Sequence, residues 1–524
     1  MSSESPPRGG LTTTGTEIPA PPASVAVHHR VVIVGSGFSG IGAAIRLRQA
    51  GVTDFVVLER ADDLGGTWRD NHYPGCCCDV PSHLYSFSFD LNPLWTRAFA
   101  PQWEIQDYLR STAEKHGVLP HIRYRHEMTR ASWDDAASRW LVETTGGSFT
   151  ADVLVLGTGA LSEPLIPDVP GRDGFAGRSF HSADWDHGHV LRGRRVAVIG
   201  TGASAIQFVP HVQREAARVA LFQRTPPWIL PRWDHRITEM EHRLLTRIPH
   251  LPRIVRGAIY AGLEMRVPGF THPRLMRSVA RVARWHLHRQ VADPAMRRAL
   301  TPDYVIGCKR ILISDDYYPA VAQPNVELVT AGVREIRPHA VVDSDGVEHE
   351  VDTIIWGTGF RVTDFPIARQ VLGRNRVSLR DHWRDGPTAY LGLTIPGFPN
   401  LFLMTGPNSG LGHTSMVYMI ESQLNYVLDC IRQLDENRIA AVDVRPDVER
   451  RFNDDVKRAM EGTVWTAAHC RSWYLDASGR NRSLCPGWTF RYRQLTRRFR
   501  LEDYRATPRP GAPVPTATPL PPAG

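Results

Sequence analysis

Two glycine-rich turns constrain this chain more than anything else in it. Each is entered by an apolar, β-branched run and followed by a helical pattern. The first is RVVIVGSGFSG, with Gly35, Gly37 and Gly40 in a Gly-x-Gly-x-x-Gly array around Phe38 and Ser39. The second is RRVAVIGTGASA, with Gly200, Thr201, Gly202, Ala203 and Ser204, and Ala205 in place of the third glycine. The first glycine of such an array permits a tight turn. The second lets backbone approach a pyrophosphate, and the third packs helix on strand, where alanine also fits. The helix that follows offers unpaired N–H groups and a favourable dipole to phosphates. Second apolar runs, FVVLER and VALFQR, complete two βαβ units of about 30 residues each. A lone fingerprint is weak evidence, but two of them in one chain point to two bound dinucleotides.

The residues behind the turns differ in charge. Glu59 ends the second strand of the first unit, about 20 residues past Gly40, where a carboxylate accepts from ribose hydroxyls. The matching strand of the second unit ends in FQRTP, which puts Arg224 there. A carboxylate would repel a 2′-phosphate, whereas a guanidinium can pair with it bidentately. The plainer reading of Arg224 is a solvated strand-end charge, and the motif around it favours phosphate. FAD in the first unit and NADPH in the second fit this change from acid to base.

A quieter repeat indicates nesting. ADVLVLGTGA and VDTIIWGTGF both read Asp, an apolar run, then Gly-Thr-Gly. Each reads as a buried parallel strand ending in a tight turn, and each closes its own nucleotide-binding half. The expected fold class is α/β, with two Rossmann-like domains and the NADP domain inserted in the FAD domain. The expected bounds are 29–165 and 350–506 for the FAD domain and 180–345 for the NADP domain. Residues 1–28 and 507–524, rich in Pro, Ser, Thr, Ala and Gly, read as disordered tails. Residues 234–298 read as a helical, arginine-rich insertion. An amphipathic helix there could touch a membrane, but a cover over a substrate cavity is the preferred reading.

Composition narrows the class. A length of 524 residues with 42% hydrophobic content suits a soluble protein of two or three domains. No apolar run approaches the ~20 residues of a membrane span, and the N-terminus lacks a secretory pattern. The net charge of +8 is spread as arginine through the chain, without an aromatic-studded basic domain, so nucleic-acid binding is not favoured. Seven cysteines make no disulfide framework. The adjacent Cys76, Cys77 and Cys78 have no metal-ligand spacing, so they suit packing in a reducing cytoplasm, with no metal.

Between the two units lies FAGRSFHSADWD, with Phe175, Gly177, His181, Trp185 and Asp186 in the pattern Phe-x-Gly-x-x-x-His-x-x-x-Trp-Asp. Here the chain resembles the type I Baeyer–Villiger monooxygenases, whose fingerprint has this pattern in this place. The likeness runs from about Val31 to about Tyr504. It implies an enzyme that uses FAD, NADPH and dioxygen to insert one oxygen beside a ketone carbonyl. The product is an ester or lactone, formed through a flavin C4a-peroxide. By the same resemblance, GGTWRDNHYPGCCCD lays Gly66, Thr67 and Trp68 along the flavin and brings Asp79 to the active site. Tyr85, Met128 and Met416 match flavin contacts. Thr225 and Lys309 join Arg224 at the 2′-phosphate, and His181 fixes the linker between domains rather than acting as a base. Arg310, in GCKRILISDD, matches the catalytic arginine. A permanent cation there suits a peroxide anion and a tetrahedral adduct, with Asp79 orienting it. Trp473 matches a tryptophan that folds over the nicotinamide ribose from a mobile loop. The stretch after it, NRSLCPGWTFRYRQLTRRF, departs from the cycloketone and arylketone enzymes, which leaves the ketone open.

Three rival readings remain at this level. One is a flavin monooxygenase that oxidises sulfur or nitrogen. Another is a disulfide reductase, disfavoured because no redox-active cysteine pair follows the first unit. The last is a non-catalytic, NADPH-sensing flavoprotein, against which the set Asp79, Arg310 and Trp473 argues.

Overall fold

The computed structural model describes residues 26–362, 365–466, 470, 472–476 and 478–511. Two sheets organise it. The first runs in the order Val371–Leu372, Met128–Asp134, Arg139–Thr144, Gly147–Leu156, Val27–Val34, Phe55–Leu58, Ile122–Arg123, and Leu401–Leu403 pairs with Gly147–Leu156. Its centre is parallel. The run Val31, Val32, Ile33 is wholly buried because both faces are covered: Val31 and Ile33 pack with helix residues such as Ile41 and Ile45, and Val32 packs with Ala131 and Trp140 of neighbouring strands. One covering helix, Phe38–Gln49, packs against Met416–Glu436, a helix contributed by the far end of the chain.

The second sheet is all parallel, in the order Val326–Val329, Arg218–Phe222, Arg195–Ile199, Thr353–Trp356, Arg178–His181. The strand Thr353–Trp356 therefore lies in this sheet, not in the returning part of the first, where a division at 350 had put it. Asp352 sets its register: its N–H donates to Arg195 O, and its carboxylate accepts from the Arg195 N–H and guanidinium. A buried TIIW run has to pair on both edges, and only the second sheet offers both.

The chain crosses between the two sheets twice, and the crossings lie side by side. Leu165 N–H donates to Gly359 O at 2.9 Å, and Arg361 N–H donates to Glu163 O at 2.9 Å.

The arginine-rich stretch holds five helices, Glu239–Arg247, Leu251–Glu264, Val267–Thr271, Met276–Gln290 and Pro294–Ala299. Met276, Ala280, Ala283 and Leu287 make the buried stripe of the fourth, at the three-to-four spacing of an amphipathic helix. That stripe meets protein: Met276, Ala280 and Ala283 pack with Trp228, Phe270 and Trp465. Among the described residues no helix is long and apolar enough to cross a membrane.

Both expected tails begin too far in. Val27 and His28 pair with Phe149 and Thr150, and Thr507 and Pro508 pair with Ala441 and Ile439. In each case a neighbouring strand offers unpaired backbone groups, which outweighs the polar composition. Residues 1–25 and 512–524 lie outside the described residues.

Candidate active site

The first fingerprint opens onto a cavity of 390 Å³. Gly35 sits at φ 95°, and a Cβ there would lie 2.7 Å from the Gly157 carbonyl oxygen. Gly200, at φ 108°, stands in the same relation to Gly357, at 2.4 Å. In both units, then, the Gly-Thr-Gly after the neighbouring strand presses on the turn, and only glycine leaves room for it.

Gly35, Gly37, Phe38, Ser39, Glu59, Gly66, Thr67, Trp68, Tyr85, Met128 and Met416 all line this cavity. Gly40 stands behind it, against the Gly35 backbone. The aromatic wall is cross-braced. Trp68 Nε1 donates to Tyr85 Oη at 3.2 Å, and Phe38 meets Tyr85 edge-on at 5.1 Å between centroids. Glu59 is 4% exposed and accepts from Ser36 N and Oγ, Ala61 N and Arg69 Nη1. Burial opposes its ionisation, yet Arg69 and these donors outweigh it and hold the carboxylate below its ordinary pKa. A pre-ionised acceptor facing a glycine turn and a helix N-terminus fits the ribose and pyrophosphate of a flavin dinucleotide.

Arg310 and Trp473 line the same cavity. Asp79 stands behind Arg310, its Oδ2 accepting from Nε at 2.8 Å and from Nη2 at 2.5 Å. The residues are 231 positions apart, and the resemblance alone had joined them. The remaining terminal nitrogen, Nη1, reaches Leu411 O at 3.5 Å. Asp79 is the main reason the guanidinium's pKa is raised, so Arg310 is a fixed cation at the cavity wall.

In the second unit Arg224 is exposed, and Thr225 follows it with its carbonyl facing the Thr201 hydroxyl at 3.4 Å. Lys309 lies over the Tyr304 ring, 4.6 Å from its centroid. Burial and then the nearby Arg224 depress the Lys309 pKa, so the fold brings these two cations together. Neither has a carboxylate in ion-pair contact among the described residues. Two neighbouring cations without a carboxylate partner fit a phosphate.

The hinge motif becomes the edge strand Arg178–His181 of the second sheet. Gly177 abuts the Asp352 carbonyl, and Phe175 packs with the apolar cluster under the sheet. Trp185 lies between Phe180 and Phe208, tying the segment to the helix Ala205–Glu215. His181 is 3% exposed and packs on Phe360 of the returning crossing, 5.7 Å between centroids. Burial pushes its pKa down, which suits a neutral structural ring. Asp186 pairs with Arg178.

Cys76 and Cys78 are buried and Cys77 half-buried, all three free. Gln207 bridges this turn to the second unit, accepting from Tyr73 and donating to Cys77 O. The cysteine spacing revealed no pairing, yet Cys308 and Cys470 are joined in a disulfide across 162 residues. Arg69, Leu411 and Tyr474 also border the site without having been anticipated. Arg69 and Tyr474 had a local signal, each following a tryptophan that the likeness brings to the site, and Leu411 was not singled out.

Residues 28–380 match the model of the flavin-binding monooxygenase-like family. A Baeyer–Villiger monooxygenase of Streptomyces coelicolor is 51% identical over 480 residues, covering 91% of this chain and 92% of that one. Another, of Pseudomonas aeruginosa, is 49% identical and covers 94% of each. The chain belongs to the Baeyer–Villiger monooxygenases. Among solved structures, a cyclohexanone monooxygenase from Rhodococcus bound to NADP+ superposes with a TM-score of 0.82 at 28% identity, covering 92% of this chain and all of that one. A steroid monooxygenase bound to NADP gives 0.81 at 28% identity, with the same coverage. A complex named OTEMO with FAD and NADP gives 0.82 at 26%, covering 90% and 97%. Membership of this family accounts for two nucleotide units in one chain, with an arginine in the wall of the cavity beside the first.

Proposed function

We propose that this chain converts a ketone, dioxygen, NADPH and a proton into an ester or lactone, NADP+ and water. The observation that carries this reading is the Arg310–Asp79 pair set in the wall of the cavity that the first fingerprint opens onto. FAD, when bound there, supplies the chemistry of reducing dioxygen and passing one of its oxygen atoms on. The chain's own part is electrostatic. Arg310 stays charged in every step, and negative charge that develops beside it is met by a donor already oriented by Asp79, so little reorganisation is needed. Because Asp79 neutralises it at rest, the cation is held without an unpaired buried charge. Arg224 and Lys309 take the 2′-phosphate of NADPH, and Thr201 to Ser204 take its pyrophosphate at the helix N-terminus. Trp473, 46% exposed at the cavity wall, takes the role of covering the nicotinamide in this reading. The cytoplasm is the proposed location.

Turnover under ¹⁸O₂ with NADPH and a panel of cyclic and linear ketones tests this. One labelled atom in the ester and the other in water is the expected result. Consumption of NADPH matched throughout by hydrogen peroxide, with no ester from any ketone, would overturn it.

A further inference from the structure

Tyr474 borders the Arg310–Asp79 pair and has no part in the reading above. Its side chain is 1% exposed, packed among Phe270, Cys308, Trp465 and Leu484. Its hydroxyl is buried and makes no hydrogen bond among the described residues. Its ring packs in the cluster that holds Cys308 and Ile311, on either side of Arg310, and the two groups act on each other's ionisation. An unsatisfied buried hydroxyl is costly, so its position calls for a partner. Arg310 has the donors to spare. Of the five N–H groups of a guanidinium, Asp79 engages those on Nε and Nη2, and Leu411 O sits at the 3.5 Å edge of reach of Nη1.

The phenol touches its exposed neighbour Trp473, 4.2 Å between ring centroids, and its backbone has partners of its own. Tyr474 N–H donates to Ser472 Oγ at 3.1 Å, and Arg482 N–H donates to Tyr474 O at 3.2 Å. The Cys308–Cys470 disulfide ties a residue four positions before Tyr474 to one two positions before Arg310. Two segments far apart in sequence are thereby fastened where their functional side chains meet.

We propose that Tyr474 is a positioning residue for Arg310: its phenolic oxygen accepts a guanidinium N–H in the reacting complex and keeps the cation facing the cavity, while the Cys308–Cys470 bond keeps the phenol in place. This rests on the reaction proposed above. Without the phenol, Arg310 keeps its charge and its pairing with Asp79 but gains freedom to swing, so oxygen is released as peroxide before it is transferred.

The test uses the holoenzyme with Tyr474→Phe, which removes one oxygen and keeps the ring. FAD per chain, thermal midpoint and the rate of anaerobic flavin reduction by NADPH should match the parent. Ester formed per NADPH should fall about tenfold, the scale of one charged hydrogen bond, with hydrogen peroxide making up the difference. In an Arg310→Ala background the same replacement should change nothing further, because the phenol acts through Arg310. Thiol titration in denaturant should find five reactive cysteines of seven, rising to seven after reduction. Cys470→Ser should shift the partition in the same direction by a smaller factor, with FAD retained; this variant decides the matter if Tyr474→Phe loses flavin. A parent that makes no ester overturns the functional reading. A parent that makes ester, alongside an unchanged partition in Tyr474→Phe or an equal loss in the Arg310→Ala background, overturns this inference alone. Seven reactive thiols before reduction would overturn the anchoring role of the disulfide.

Discussion

The two nucleotide units share a strand, a turn and a helix, and they part company at two positions. At the third place of the fingerprint, the helix of the first unit starts at Phe38, immediately after Gly37, whereas that of the second starts only at Ala205. The early start brings Gly40 so close to the turn that an added Cβ would sit 1.8 Å from Gly35 O. The later start leaves room for the methyl group of Ala205, which faces Gly357, where an added Cβ would come within 3.3 Å of it. At the end of the second strand the contrast is electrostatic. Glu59 is buried and already hydrogen-bonded to Ser36, Ala61 and Arg69, while Arg224 is exposed and has no carboxylate in ion-pair contact among the described residues. The first unit is built around a resident ligand. The second is open, with its recognition charges waiting, as befits a ligand that comes and goes with each turnover.

Exchanging the third residues should break this comparison most sharply. Gly40→Ala should abolish flavin retention, since the clash is with backbone and nothing flexible can yield. Ala205→Gly should cost only about 1 kcal/mol, the price of a glycine in a helix. Flavin content and thermal unfolding of the two variants decide it, and similar losses in both would show that the units are interchangeable at this point. Next in size is Arg310. Arg310→Ala should keep its flavin and lose about 10²–10³-fold in ester formation, with hydrogen peroxide as the product instead. Lysine should rescue poorly, since it lacks the planar fork that Asp79 grips. Ester formation at near-parental rate in the alanine variant would remove Arg310 from the mechanism.

Arg224→Ala should narrow the preference for NADPH over NADH by about 1.5–3 kcal/mol, the range for hydrogen bonds to charged groups. Steady-state constants with both nucleotides measure this, and equal losses with each would mean that the phosphate is not being read. The smallest expected effect concerns the acid in the first unit. The Glu59 pKa is depressed on folding, so the stability it contributes is present above its unfolded value near 4.5 and is lost as pH falls through the lower folded value. Arg69→Met removes the strongest influence holding that pKa down, so acid-induced flavin release should move to higher pH. Flavin fluorescence followed through an acid titration would show it, and an unmoved midpoint would mean that Ser36 and Ala61 suffice.

What could be read from the chain was whatever nature had written locally. Gly35, Glu59, Gly200 and Arg224 announce themselves because a turn, a helix and two strands impose spacing over some thirty residues. The cavity-lining positions Trp68, Tyr85, Met128 and Met416 came from family likeness, since an aromatic or a methionine carries no spacing rule of its own. Arg310 and Asp79 were joined in the same way. The place of Tyr474 beside Arg310 and the Cys308–Cys470 bond were invisible because each depends on segments that meet only after folding. The strand Thr353–Trp356 was recognised as closing the second unit but divided from it at 350, because an apolar run does not say which of two parallel sheets it enters. That depended on Asp352 and Arg195, an ion pair across 157 residues.

The paired crossings at 163–165 and 359–361 carry a further consequence. The inserted unit enters and leaves through two strands that touch, so its own ends lie one backbone hydrogen bond apart. A segment with adjoining ends can be removed from its host, or placed in one, with little change in the loop the host must close. The nicotinamide-type module is thus a cassette in chain path, and Gln207, Arg310 and the Cys308–Cys470 bond fasten it to its host beyond that seam. Excising 166–358 and joining the flanks through a short glycine linker leaves a host sheet whose strands are all still present.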